Sequence, residues 1–243
     1  MEIDVAPDDE SVARRAASEI ATAFLRRVNA GRDFVVAISG GRTPWKMLDH
    51  LATHDLPWSR IHLLQVDERV APDGDPDRNW THVRAHLLDR VAIPADRVHP
   101  MPVALEDPER AAADYARTLR EVAGDPPILD VVHLGLGADG HTASLVPGDA
   151  VLDAVGDVAA TDTYAGRRRI TLTFPLLNRA RHILWVVTGA EKAPSLRRLV
   201  RGDPSIPAGL VRSTNARILT DVAAAGCATV SESRPTAPPA PRA

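Results

Sequence analysis

Short apolar runs rich in β-branched residues alternate along this chain with longer segments whose apolar residues recur every three to four positions. That alternation leaves few options besides a mostly parallel α/β sheet flanked by helices. The predicted strands are Phe34–Ile38, Ile61–Val66, Leu129–Leu134, Ile170–Phe174, Ile183–Thr188 and Arg217–Leu219. The predicted helices are Ser11–Asn29, Pro44–Leu51, Trp80–Val91, Pro108–Val122 and Ala190–Arg201; in the first, Val12, Ala16, Ile20, Ala23 and Phe24 share one face. Val131-Val132-His133-Leu134 and Ile183-Leu184-Trp185-Val186-Val187 are apolar without strict alternation, so these strands are expected to be central and covered on both faces. No repeat or Pro/Gly-rich linker interrupts residues 1–230, which therefore read as one domain. Residues 231–243 are low-complexity and proline-rich, too poor in apolar surface to order themselves, and are expected to be a disordered tail without function.

Composition narrows the partners. Thirty-two acidic residues against 29 basic ones give a net charge of −3, so no global positive field attracts nucleic acid or anionic lipid. Any bound anion must be held by a local site. Cys227 is the only cysteine, which excludes an internal disulfide and a thiolate metal cage and points to the cytosol. No apolar run approaches the roughly 20 residues needed to span a bilayer. The acidic start, Met1 to Glu10, lacks the basic head and apolar stretch of an export signal, so a cytoplasmic protein, monomeric or a small homo-oligomer, is expected. Lys46 and Lys192 are the only lysines, and each invites inspection as a special ammonium.

In open α/β sheets ligands bind beyond the carboxyl ends of strands, so the residues just past each strand carry the most information about chemistry. After Phe34–Ile38 comes Ser39-Gly40-Gly41-Arg42-Thr43-Pro44 and then a helix. Two glycines, two hydroxyls and a helix start make either a phosphate cradle or a plain turn capped by Thr43. Asp67-Glu68-Arg69 comes after Ile61–Val66, and reads either as a solvated charged loop or as a carboxylate placed for catalysis. After Leu129–Leu134 comes Gly135-Leu136-Gly137-Ala138-Asp139-Gly140-His141-Thr142-Ala143-Ser144-Leu145. Its three glycines are hard to explain by packing alone, and Asp139 is spaced to hold the His141 imidazole or to accept a turn hydrogen bond. The other eight histidines lack such a setting, no metal-ligand spacing appears, and no metal is expected. Arg167-Arg168-Arg169 precedes the strand from Ile170, where a solvated basic cluster and a ligand site are both open. Lys192 begins a helix, where an ammonium opposes the macrodipole unless an anion compensates.

In this order, Ser39-Gly40-Gly41-Arg42-Thr43-Pro44, Asp67-Glu68-Arg69-Val70 with Asn79 beyond it, Gly135 through Leu145, Arg169-Ile170-Thr171-Leu172-Thr173 and Thr188-Gly189-Ala190-Glu191-Lys192-Ala193 resemble the 6-phosphogluconolactonases, within the wider group that includes glucosamine-6-phosphate deaminases. The resemblance spans residues 1 to about 230. It implies a single-domain, Rossmann-like three-layer sandwich that hydrolyses 6-phospho-D-glucono-1,5-lactone to 6-phosphogluconate in the pentose phosphate pathway without a cofactor. Carried over by motif, it implies His141 as general base with Asp139 beside it. It places Arg69 at the lactone end with Asp67 to orient it or the attacking water. Ser39, Gly40, Gly41, Arg42, Thr43, Arg169 and Lys192 would surround the phosphate. The chain departs from the family where Thr163-Tyr164-Ala165-Gly166 stands in place of a proline-rich run, which leaves the choice among Arg167, Arg168 and Arg169 open. Arg78 replaces a common serine and Val146 a common aromatic. The alternatives are a deaminase, whose relatives carry an acidic residue shortly after the loop histidine where Thr142 to Pro147 has none, and a noncatalytic sugar-phosphate sensor, which should lack the histidine or the strand-end carboxylate.

Overall fold

A computed structural model describes residues 1–104, 107–212 and 214–226. The expected tail, residues 231–243, lies outside them. Ten strands form: β1 (Glu2–Ala6), β2 (Phe34–Ile38), β3 (Ile61–Gln65), β4 (Asp67–Arg69), β5 (Val98–His99), β6 (Val131–Leu134), β7 (Val158–Ala160), β8 (Arg169–Leu172), β9 (His182–Val187) and β10 (Ala216–Asp221). The α-helices are α1 (Asp9–Asn29), α2 (Arg42–Leu51), α3 (Asn79–Val83), α4 (Pro108–Ala123), α5 (Phe174–Leu177), α6 (Ala193–Val200) and α7 (Val222–Ala225).

Seven strands make one parallel sheet in the order β1-β10-β9-β6-β2-β3-β5. Strand alternation divides the core in two. On β2, Phe34, Val36 and Ile38 face one layer and Val35 and Ala37 the other; on β9, Leu184 and Val186 oppose Ile183, Trp185 and Val187. The first layer is closed by α1, α2 and α3 through residues such as Ile20, Phe24, Met47, Leu48 and Trp80. The second is closed by α4, α6 and a small antiparallel sheet, β4-β8-β7, through Tyr115, Leu119, Leu196, Ile170 and Leu172. Both central strands are thus covered twice, and each fully buried large side chain contributes about 1.5–3 kcal/mol.

The structure departs from the sequence reading at several elements: β5 and β7 were not predicted, the expected helix Trp80–Val91 is α3 followed by a wider π-helical turn over Arg84–Leu88, and three further differences have clear causes. β1 carries Glu2 and Asp4 and buries only Ala6, so this edge strand has no apolar signature. The Ile170–Phe174 segment joins the small antiparallel sheet instead of the central one, and Phe174 already begins α5 behind the cap Thr173. Asp67-Glu68-Arg69 is strand β4, paired to β8, and Glu68 is fully buried. Among the described residues no helix is long and apolar enough to cross a membrane.

Candidate active site

From β2 the chain moves through β3 to β5 on one side, whereas from β6 it moves through β9 to β10 on the other. The loops leaving β2 and β6 therefore diverge, and a crevice opens where the winding reverses. Ser39 ties the two loops together: its N–H donates to His133 Nδ1 (3.2 Å) and its hydroxyl to the His133 carbonyl (2.8 Å). A pocket of about 290 Å³ fills the crevice. Ser39 through Pro44, Asp67, Arg69, Asn79, Gly135 through Gly137, His141, Arg169 and Lys192 all line it. A larger hollow of about 890 Å³ opens at the opposite, amino edge. Two of its arginines are held by carboxylates, Arg27 by Asp130 at 2.9 Å and Arg217 by Glu2, Asp4 and Glu19.

The glycine-rich loop after β6 turns sharply so that the Gly137 N–H meets the His141 carbonyl (2.8 Å). Asp139 Oδ1 accepts from both the His141 backbone N–H (3.1 Å) and His141 Nδ1 (2.6 Å). A carboxylate on Nδ1 holds the proton there, which leaves Nε2 with its lone pair as the basic atom. Burial raises the Asp139 carboxyl, but the His141 N–H bonds and charge together bring it below its ordinary value. A Cβ on Gly137 would lie 2.1 Å from His141 Nδ1 and 2.4 Å from Asp139 Oδ1, so the pair occupies space that only glycine leaves. Asp139 itself does not line the pocket; it stands behind the imidazole.

Facing this loop are β4 and β8, on which Arg69 and Arg169 are directly paired. Like charges opposite each other across a sheet are unfavourable without an anion between or beside them. Asp67 supplies one. It is buried, its Oδ2 accepts from Ser144 Oγ (2.7 Å), and it attracts the Arg169 guanidinium, while burial and Arg69 lower the Arg169 pKa. Asp67 makes no hydrogen bond to Arg69. Arg69 instead donates to the Asp77 carbonyl (2.7 Å) and to Asn79 Oδ1 (2.8 Å). Asn79 in turn sits against the β2 loop, where a Cβ on Gly40 would come within 1.9 Å of that same oxygen. Arg69 therefore stands beside the glycine loop. Arg169 stands on the His141 side, its guanidinium carbon 5.0 Å from the centroid of Tyr164, whose ring is 5.7 Å from that of His141. The two guanidiniums thus sit in different surroundings, Arg69 with Asn79 beside the glycine loop and Arg169 with Tyr164 on the His141 side.

The remaining basic groups separate cleanly. Arg167 pairs with Asp75 and Asp77, and Arg168 with Glu109, so Arg169 alone of the three points into the pocket. Lys46 is held by Asp9 and Glu10 on the surface. Lys192 lines the pocket at the cap of α6, and among the described residues no carboxylate pairs with it. Arg42 and Thr43 begin α2, but the cap is Gly41, which offers no side-chain bond to the helix N–H groups. The Thr43 hydroxyl bonds Thr188 (2.7 Å) instead.

Several residues escaped the sequence reading. Glu68 accepts from the N–H groups of Arg69, Asn79 and Trp80, each at 2.8 Å, and so anchors β4 to the start of α3. Ser144 joins the β6 loop to Asp67 and, through its N–H, to Thr171. His133, buried and pushed down to about 3 by desolvation, is a neutral acceptor for Ser39. A polar residue inside an otherwise apolar strand was the available signal for it.

This fold and site define an α/β enzyme class built to hold an anionic ligand beside a histidine. Residues 7–220 match the family described as glucosamine-6-phosphate isomerases/6-phosphogluconolactonase, and the chain belongs to that family. A 6-phosphogluconolactonase of a Nostoc species is 36% identical over 201 residues, covering 81% of this chain and 84% of its own. The Mycobacterium tuberculosis 6-phosphogluconolactonase is 35% identical over 234 residues, covering 90% and 95%. Among solved structures, the Thermotoga maritima 6-phosphogluconolactonase superposes with a TM-score of 0.81 at 28% identity, over 90% of this chain and 98% of that one.

Proposed function

We propose that this chain hydrolyses 6-phospho-D-glucono-1,5-lactone to 6-phospho-D-gluconate, the step its relatives' names describe, in the oxidative pentose phosphate pathway. The observation that supports the assignment of roles is that one pocket is lined by His141, held by Asp139, and by Arg69 and Arg169, which are paired across two strands. His141 Nε2 takes a proton from water as the water attacks the lactone carbonyl carbon. The tetrahedral oxyanion forms, and the imidazolium then returns the proton to the ring oxygen as the ester bond breaks. Asp139 holds the tautomer and offsets the charge on the imidazolium.

The phosphate, on C6, and the carbonyl, at C1, are two separate anionic or developing-anionic groups on either side of the ring oxygen, and the two arginines divide between them. Arg69 shares Asn79 with the Gly40 loop, and the uncapped start of α2 and Lys192 border the same space; these groups receive the phosphate. Arg169, on the His141 side, receives the developing oxyanion, and Asp67 with Ser144 fixes its surroundings. This division reverses the one implied by motif alone, and contact geometry is the reason.

The test is a coupled assay on freshly generated lactone, with spontaneous hydrolysis subtracted, run beside an assay of ammonia release from glucosamine 6-phosphate. Lactone hydrolysis well above the blank with no ammonia supports the reading. Ammonia release without lactone hydrolysis overturns it in favour of the deaminase.

A further inference from the structure

Arg167, Arg168 and Arg169 are consecutive, yet among the described residues only the first two are clasped directly by carboxylates; Asp67 attracts Arg169 without a hydrogen bond to it. Arg169 is largely buried; among the described residues its Nε has no hydrogen-bond partner, and its side chain's one hydrogen bond is a long contact of 3.5 Å from Nη1 to Ser144 Oγ. Desolvated and almost without hydrogen bonds, a guanidinium on a long side chain needs something else to fix it. The aromatic face of Tyr164 is that support, 5.0 Å from the guanidinium carbon. The distinction matters chemically. A carboxylate would hold the cation by occupying its in-plane N–H donors, whereas a ring attracts it through the face and leaves those donors free for a substrate oxygen.

Tyr164 is itself held rigidly. It exchanges hydrogen bonds with Arg167 across a two-residue hairpin turn, Tyr164 N–H to Arg167 O at 3.0 Å and Arg167 N–H to Tyr164 O at 3.3 Å. Both central residues, Ala165 (φ 49°) and Gly166 (φ 81°), lie in the left-handed region that such tight turns require. The Arg167 side chain then pins the hairpin to Asp75 and Asp77. On its other side Tyr164 meets the His141 ring, with centroids 5.7 Å apart and planes at 64°.

We propose that Tyr164 is a positioning residue of the active site: its ring face holds Arg169 with the guanidinium donors left free, and its contact with His141 sets the distance between that cation and the base. This deepens the function proposed above and rests on it. Tyr164 stands behind the pocket lining, and its role is exerted through these two neighbours.

The experiment is a double-mutant cycle read as kcat and KM on the lactone, with Tyr164→Leu, Tyr164→Phe, Arg169→Ala and the Tyr164→Leu/Arg169→Ala pair. Tyr164→Thr serves as a second ringless variant, β-branched to suit the extended bridge to Arg167, and circular dichroism reports folding of each. Tyr164→Leu is expected to lower kcat by about 5- to 30-fold, the range of a desolvated cation–ring contact, with a smaller change in KM. Tyr164→Phe, which keeps the ring, restores most of that loss. In the Arg169→Ala background, Tyr164→Leu adds less than about 2-fold, because contacting residues couple. The proposal is overturned if the ringless variants match the parent, if Tyr164→Phe is as damaged as Tyr164→Leu, or if the full Tyr164→Leu loss persists without Arg169. An Arg169→Ala variant with unchanged kcat removes the oxyanion role and this proposal with it. A damaged Arg169→Ala beside intact ringless variants removes this proposal alone.

Discussion

Adding one methyl group at Gly137 should abolish most of the activity while leaving the fold nearly as stable. The Cβ of Gly137→Ala would lie 2.1 Å from His141 Nδ1, 2.4 Å from its Cε1 and 2.4 Å from Asp139 Oδ1. Carbon contacts need about 3.5 Å, so the ring and the carboxylate must each retreat by about 1 Å or more. A misplacement of about 1 Å costs on the order of 10²-fold in rate where geometry is catalytic. Loss of the 2.6 Å Nδ1 contact adds to this by freeing the tautomer. Stability should change little, because the crowded atoms are the ends of two partly exposed side chains that can swing outward, and Gly137 does not need a positive φ. The assay is kcat on fresh lactone against a matched blank, paired with thermal melting. A folded Gly137→Ala enzyme with parental kcat would refute the reasoning that the Asp139–His141 geometry is what catalyses.

Individual contacts set the other expectations. Asp139→Asn can keep both bonds through a single oxygen and lose only the charge, so kcat should fall about 10-fold, whereas Asp139→Ala loses both and should fall about 10²-fold; equal losses would contradict this ordering. Arg69→Ala and Lys192→Ala should raise KM more than they lower kcat, each weakening binding of 6-phosphogluconate by about 1.5–3 kcal/mol, which calorimetry can read. His133 is held down to about 3 in the folded chain but titrates near about 6.5 when unfolded, so the unfolded state takes up the proton first. Its contribution to stability is complete above pH about 6.5 and declines by about 1.4 kcal/mol per unit as pH falls toward 3. Denaturant titrations across that range should show a flatter pH dependence for His133→Leu than for the parent.

How much the sequence revealed depended on whether a residue's role was local. The central strands were legible because Val131–Leu134 and Ile183–Val187 are apolar on both faces, and the His141 loop because three glycines so close together at a strand end mark a tight turn. β1 was not legible, since an edge strand with Glu2 and Asp4 carries no apolar pattern. Nor was β4, since Asp67-Glu68-Arg69 has the composition of a solvated loop; its burial depends on Asn79, Trp80 and Ser144, which are distant in sequence. The same limit applied to the arginines. Motif order placed Arg69 and Arg169 in the site, but their pairing across β4 and β8, and hence which end of the ligand each faces, is set by tertiary register. Arg167 and Arg168 could be told from Arg169 only by their partners, Asp75, Asp77 and Glu109.

The central claim is that His141, held by Asp139 in this crevice, is the base that activates water against the lactone. Its most direct test is the hydrolysis rate of freshly generated 6-phospho-D-glucono-1,5-lactone by folded His141→Ala, with the spontaneous rate subtracted. The expected loss in kcat is about 10²–10⁴-fold, the range for removing a general base, with 6-phosphogluconate still bound through the Arg69 and Lys192 end of the pocket. A folded His141→Ala enzyme that turns over at close to the parental rate would contradict it.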